Sequence, residues 1–403
     1  MIRETLPNGI RLVAEHMPYM KSVAVGISVE TGSRHEPIGK EGISHFTEHM
    51  LFKGTKIRTA KDISSEFDNI GADFNAYTSH ENTQYYAKVF TEHLPNAVDL
   101  LSDMILKSTV DPLEMSRERS VILEEISMME DDPDSHAYDE FHKKVWAGTP
   151  LGHSIVGTRK TVKAITRDDV LEYMATRYVP SNMIVSVAGN FNPSEIRDVI
   201  EKAFKSKKRK LAKAEPFTGC KFGKAKKHKD IEQTHVYMGL ESVNSRHKDG
   251  WALMVMNALF GAGMSSRLFT EVRENRGLAY SVCSFNRSLS DTGLQILYAA
   301  VNPSKVDDLI KVLRYEMDRL ATDGVKEEEV AKARAQCKGA LAMTAEGTVG
   351  RMNQLIKMES IGQHCTIEQD LVSVASVTPE DVLRVAQLLK GKQALYTLGP
   401  KEV

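Results

Sequence analysis

The strongest constraint on the fold of this 403-residue sequence is that its second half echoes its first. ITRDDVLEYMATRYVPSNMIVSVAGN, from Ile165, returns as VTPEDVLRVAQLLKGKQALYTLGP, from Val377, with Thr166 and Thr378 as equivalent starts 212 positions apart. In each copy the threonine can serve as a helix N-cap, and acids crowd the first turn, where the helix dipole favours negative charge. An apolar strand follows, at 184–187 in one copy and 394–398 in the other. Near the front of each half, strand-like SVAVGISVE around Gly26 is matched by THVYMGLES around Gly239, again followed by a polar loop and a helical segment. Three anchors with nearly the same offset, 212, 210 and 213 positions, imply a duplication, hence two homologous α+β domains of about 200 residues each. The expected boundaries are 1–205 and 229–403, joined by a Lys-rich linker at 206–228 with little apolar periodicity.

The most informative local motif is GISHFTEHMLFKGT. His45 and His49 are spaced i, i+4, so on a helix both imidazoles leave one face about one turn apart, as two neighbouring ligands of a tetrahedral zinc must. Glu48 stands beside them, completing HxxEH, the inverse of HExxH. A surface helix that happens to carry two histidines and an acid is the plainer alternative. Against it, Phe46, Met50, Leu51 and Phe52 make the helix largely apolar, and burying two imidazoles there without a partner would be costly. Catalytic zinc takes three protein ligands and leaves a fourth position open. SRERSVILEEISMMEDD offers candidates for the third: Glu118 and Glu125 lie two turns apart on one helix face, with Glu125 on the side of Ile122 and Met129. Glu124 points nearer Arg117 and Met128 and is expected in solvent. Taken alone, each of these acids also fits a charged helix face.

The rest of the sequence mainly excludes. Its 41 % hydrophobic and 27 % charged residues are those of an ordinary soluble protein. A formal net charge of -1 gives no global attraction to nucleic acid or to an anionic membrane. The Lys-rich stretch lacks the interleaved aromatics of a nucleic-acid surface. Cys220, Cys283, Cys337 and Cys365 form no CxxC pair, which fits neither a disulfide framework nor a thiolate zinc site and points to a reducing compartment. No apolar run approaches the roughly 20 residues that span a bilayer, and no leader pattern is visible, so the expected location is cytoplasmic.

Four segments, HFTEHMLFKGT, NAYTSHENTQYY, ERSVILEEI and SSRLFTEVRENRGLAYSV, together resemble the pitrilysin and mitochondrial processing peptidase family of inverzincin metallopeptidases, in a half-length, bacterial-type form. The resemblance covers essentially the whole chain. It implies that each domain is a mainly antiparallel sheet covered by helices. It implies one Zn2+ per chain, held by His45, His49 and Glu125, with Glu118 supporting the site and Glu48 as general base. Substrate would add as a strand along an edge that includes Asn75 and Ala76, near Phe46. The second half lacks HxxEH but keeps Arg273 and Tyr280, a pair that in the family touches substrate and stabilises the developing oxyanion. Because the chain resembles one half of a two-half enzyme, a homodimer enclosing a chamber is expected, each copy completing the other's site. Of the two acids with which processing peptidases read a basic residue, Asp139 matches, whereas the other position is Ser135, beside Asp134. The expected function is that of a zinc endopeptidase acting on peptides or unfolded segments. The alternatives are a non-catalytic or partner-dependent subunit and, least in keeping with an open coordination position, a structural zinc fold.

Overall fold

A computed structural model describes residues 1–205 and 219–401. Its first sheet comprises β1 (Ile2–Thr5), β2 (Arg11–His16), β3 (Ser22–Val29), β4 (Asp73–Thr78), β5 (Thr83–Phe90) and β6 (Met183–Gly189), in the order β1-β2-β6-β3-β5-β4. The second comprises β7 (Gly223–His228), β8 (Thr234–Ser242), β9 (Ala279–Ser288), β10 (Gly293–Val301) and β11 (Gln393–Gly399), in the order β7-β11-β8-β10-β9. With β1 set aside, the two orders are the same. Each sheet has one parallel pair, β2 with β6 and β7 with β11, and is otherwise antiparallel. The fold is therefore the mixed, duplicated α+β architecture expected.

Both repeat threonines cap helices, Thr166 that at Arg167–Arg177 and Thr378 that at Pro379–Ala386. Each hydroxyl accepts the N–H of Asp169 or Asp381, and that aspartate accepts the threonine N–H in return. β6 and β11, which follow, are buried along almost their whole length. β8 shows how both faces of a sheet are used. Val236, Met238 and Leu240 enter one apolar cluster while Tyr237 enters another, so the period of two serves two cores.

The compact units do not follow a single cut of the chain. One holds residues 1–128, 153–205 and 344–364, and the other holds 129–152, 219–343 and 365–401. Each half thus sends a helix to the sheet of the other. The helix Thr348–Ile361 lies in the first unit, where fully buried Arg351 pairs with Glu15 on β2 and Ser186 on β6 donates to the Met352 carbonyl. The helix Pro133–Val145 lies in the second, where Phe141 stacks on Tyr237 at 5.4 Å between centroids. The glycines that anchor the repeat explain these contacts. A Cβ on Gly26 would stand 2.6 Å from Met352 Sδ, the movable end of a flexible side chain, and one on Gly239 would stand 2.5 Å from the rigid Phe141 ring, so glycine favours the close approach of both helices and is required most at Gly239.

The expected linker needs one correction. Residues 206–218 lie outside the described residues, but Gly223–His228 form β7, paired with β11. Lys224 and Lys226 stand exposed while Ala225 is half-buried, a charged edge strand whose lysines discourage further pairing.

Candidate metal centre

The helix Ile43–Leu51 carries the HxxEH motif, and its start is unusual. Gly42 adopts φ +94°, and a Cβ there would stand 2.8 Å from the Val156 carbonyl, so the turn requires glycine. Lacking a capping side chain of its own, the helix borrows one. Glu36 accepts the N–H groups of Gly42 and Ser44 at 2.9 Å each. Burial pushes the Glu36 carboxyl up to about 8 against the opposing pull of those donors. The helix is thereby anchored at its first turn, one residue before His45.

From that anchor, the 100° step per residue sends His45 and His49 to one side and Phe46 to another. Phe46, expected near substrate, is wholly buried with the Arg119 guanidinium 5.1 Å from its ring centroid, and as placed it offers no surface to a substrate. The long helix Pro112–Asp131 brings Glu125 to the histidines. Its Oε2 lies 3.5 Å from His45 Nε2 and 3.8 Å from His49 Nε2, and all three ligand atoms fall within 4.8 Å of one another. Ligands about 2.0 to 2.1 Å from a tetrahedral zinc stand about 3.4 Å apart, so the donor set and its spacing fit that ion. Among the described residues no other group of three His, Cys, Asp or Glu has this arrangement. Glu124 is exposed, as expected.

The protonation states suit a metal as well. Burial, and then the neighbouring His49, lower the His45 pKa to about 3, so its imidazole is neutral and able to donate a lone pair. His45 Nδ1 is buried without a partner among the described residues. His49 Nδ1 lies 2.9 Å from Glu118 Oε2, and Lys53 Nζ lies 2.8 Å from Glu118 Oε1. Burial would raise the Glu118 pKa, but the bonds from His49 and Lys53 outweigh it and hold the carboxyl below its usual range. An ionised Glu118 keeps the proton on Nδ1 and turns the lone pair of His49 Nε2 toward Glu125. Glu48, next along the helix, donates no ligand atom to this group. Its Oε2 accepts a hydrogen bond from Thr78 Oγ1 at 2.5 Å, and burial raises its pKa.

Thr78 ends β4, the outermost strand of the first sheet. Asn75 and Ala76 lie on that strand, with Asn75 Oδ1 accepting the Ala76 N–H at 2.8 Å. The remaining expected site residues belong to the second unit. Asp139 pairs with Lys143 at 2.7 Å, Asp134 accepts the Tyr237 hydroxyl at 2.6 Å, and the Ser135 N–H is spent capping its helix on Asp132. Arg273 and Tyr280 come together: the guanidinium lies 4.0 Å from the Tyr280 ring centroid and donates to the Tyr280 carbonyl at 2.9 Å, while the tyrosine side chain is 74 % exposed. Arg273 sits on a π-helical turn, Phe269–Glu274, a form often found at functional sites. Glu36, Lys53 and Thr78 had no sequence signal as site residues. Each acts through a partner at least six positions away.

A duplicated α+β fold in which one unit brings two histidines of one helix together with a glutamate of another defines a class of possible metal-site scaffold. The chain belongs to peptidase family M16. The family described as Insulinase (Peptidase family M16) matches residues 11–159, and the Peptidase M16 inactive domain matches residues 164–337. His45, His49 and Glu125 all fall in the first match. An uncharacterized zinc protease of Bacillus subtilis, YmxG, is 39 % identical over 405 residues, covering 99 % of this chain and 98 % of its own. Another, from Streptomyces coelicolor, is 38 % identical over 409 residues, with 99 % and 89 % covered. Among solved structures, a protease from Helicobacter pylori superimposes with TM-score 0.93 at 24 % identity over 99 % of both chains. A peptidase M16 inactive domain from Pseudomonas fluorescens gives 0.92 at 18 %, over 100 % of this chain and 98 % of that one. No described helix is long and apolar enough to cross a membrane.

Proposed function

We propose that this chain is a zinc-dependent endopeptidase that cleaves extended peptides or unfolded protein segments. The observation that carries the reading is the convergence of His45 Nε2, His49 Nε2 and Glu125 Oε2 beside a carboxylate, Glu48, that is held but not spent as a ligand. Zinc held by these three groups would lower the pKa of a water toward about 7 and polarise a substrate carbonyl. Glu48 removes a proton from the attacking water and returns it to the departing amine. Glu118 and Lys53 keep His49 in the required tautomer. The free edge of β4 pairs with the main chain of an extended substrate, which makes binding largely independent of sequence.

In this reading the active form is a homodimer enclosing a chamber, in which Arg273 and Tyr280 of one copy stabilise the oxyanion at the other's metal site. Cys220, Cys283, Cys337 and Cys365, none of them in a disulfide, fit a reducing, cytoplasmic setting. The test is digestion of a mixed library of unstructured peptides of about 10 to 30 residues by zinc-loaded protein, chelated protein and Glu48→Gln. Cleavage by the first alone, with zinc retained in Glu48→Gln, is the expected result. A zinc-loaded dimer that cuts nothing would instead be a partner-dependent or non-catalytic subunit. Mixing inactive Glu48→Gln with inactive Arg273→Ala then tests the shared site. Random exchange of subunits should restore about a quarter of wild-type activity, and no recovery would mean that each copy supplies its own Arg273.

A further inference from the structure

β4 meets the HxxEH helix through a side chain of its own last residue. Thr78 Oγ1 donates to Glu48 Oε2, while Glu48 Oε1 has no partner among the described residues. One oxygen is therefore held and the other is left for proton transfer. Phe74, Ala76 and Thr78 are half-buried along β4, whereas Asp73, Asn75 and Tyr77 are exposed, so Thr78 shares its face with Ala76. Both ends of the strand are fixed. Phe74 stacks on Phe67 at 4.1 Å between centroids, and the turn after Thr78 is tied to the preceding segment by Ser33 with His80 at 2.8 Å and by Arg34 with Glu81 at 2.7 Å. What stays open is the outer edge between these ends, where no strand pairs among the described residues.

We propose that Thr78 is a positioning residue that ties the carboxylate of Glu48 to the edge strand, so that pairing of an extended peptide along β4 sets the placement of the base. The inference rests on the peptidase reading. β4 is fixed at both ends and paired on one side only, so a peptide added to its open edge damps the motion that remains there, and through Thr78 it reduces the freedom of Glu48 to swing on its flexible stem. Short peptides that reach the metal without covering β4 are then cut slowly even when saturating, because the base is less well held.

The test uses Thr78→Val, which keeps shape and removes the donor, and Thr78→Ser, which keeps the donor. Each is assayed as zinc-loaded full-length protein on a quenched-fluorescent peptide that the wild type cuts, and on the same peptide trimmed to about half its length. Thr78→Val should lower kcat roughly 10- to 100-fold on the long peptide, as expected for one hydrogen bond to a charged group, with KM little changed. Thr78→Ser should restore it. The gain in kcat from the longer peptide should be present in wild type and lost in Thr78→Val. Wild-type kcat in Thr78→Val, failure of serine to rescue, or an undiminished length effect would each overturn the proposal. Crystal structures of zinc-loaded wild type and Thr78→Val supply a readout free of turnover. A Glu48 carboxylate displaced in the variant supports the tether, and one in the same position refutes it, even if the wild type cuts no peptide and the peptidase reading itself falls.

Discussion

The two units share a strand order and differ in what they place after the third strand of that order. In the first, β3 leads to Gly42 and the HxxEH helix. In the second, β8 leads to the helix Gly250–Asn257 and a π-helical turn, Ala258–Ala262. At the 213-residue offset of Gly26 and Gly239, the anchor nearest this helix, His45, Glu48 and His49 correspond to Ala258, Gly261 and Ala262 of that π-helical turn. Phe260 is fully buried, and a Cβ on Gly261 would stand 2.5 Å from Ser284 Oγ. The second unit fills this place with hydrocarbon and close backbone approach. The first keeps two imidazoles there and surrounds them with carboxylates. A duplicated scaffold can thus hold a polar centre in one copy because its stability comes from features that both copies retain: the capped helices, the doubly buried sheets and the glycines beneath the exchanged helices.

The asymmetry predicts where substitutions act. The largest effect belongs to the first unit alone: Glu48→Gln should reduce kcat by about 100- to 10,000-fold with zinc content unchanged, read from steady-state kinetics beside metal analysis. Glu118→Gln should weaken zinc binding about 10- to 100-fold in a competitive chelator titration, because His49 loses the acceptor that fixes its tautomer. The glycines sharpen the comparison on stability. Gly239→Ala drives a Cβ into the rigid Phe141 ring and should cost about 1 to 3 kcal/mol in denaturant unfolding. Gly26→Ala meets the flexible end of Met352 and should cost less, so equal losses would show that the two helices are held differently from this account. Smallest and most alike are the caps. Thr166→Ala and Thr378→Ala should each cost about 1 kcal/mol, since both remove the same reciprocal pair.

Much of the site was legible because its signals are local. The i, i+4 histidines and the two-turn spacing of Glu118 and Glu125 are properties of a helix, and the structure brings His45, His49 and Glu125 together with Glu118 behind them. The capped helices and their following strands were legible for the same reason. What escaped depends on partners distant in sequence. An amphipathic pattern states that Pro133–Val145 and Thr348–Ile361 have an apolar face, but not which sheet receives it. The cationic composition of Gly223–His228 masked a strand whose pairing is supplied by β11. Phe46 was placed toward substrate, whereas the helical step and its burial turn it into the core. Glu36 and Thr78 act through the first turn of the motif helix and the end of β4, contacts that no local pattern encodes.

The central claim is that the metal centre belongs to one unit and is built from three residues. Anomalous diffraction at the zinc edge from crystals of the zinc-loaded protein tests it directly. The account predicts one strong peak per chain, bounded by His45 Nε2, His49 Nε2 and the Glu125 carboxylate, and no ordered zinc within the second unit. A peak elsewhere, or none between these three side chains at full zinc loading, would contradict it.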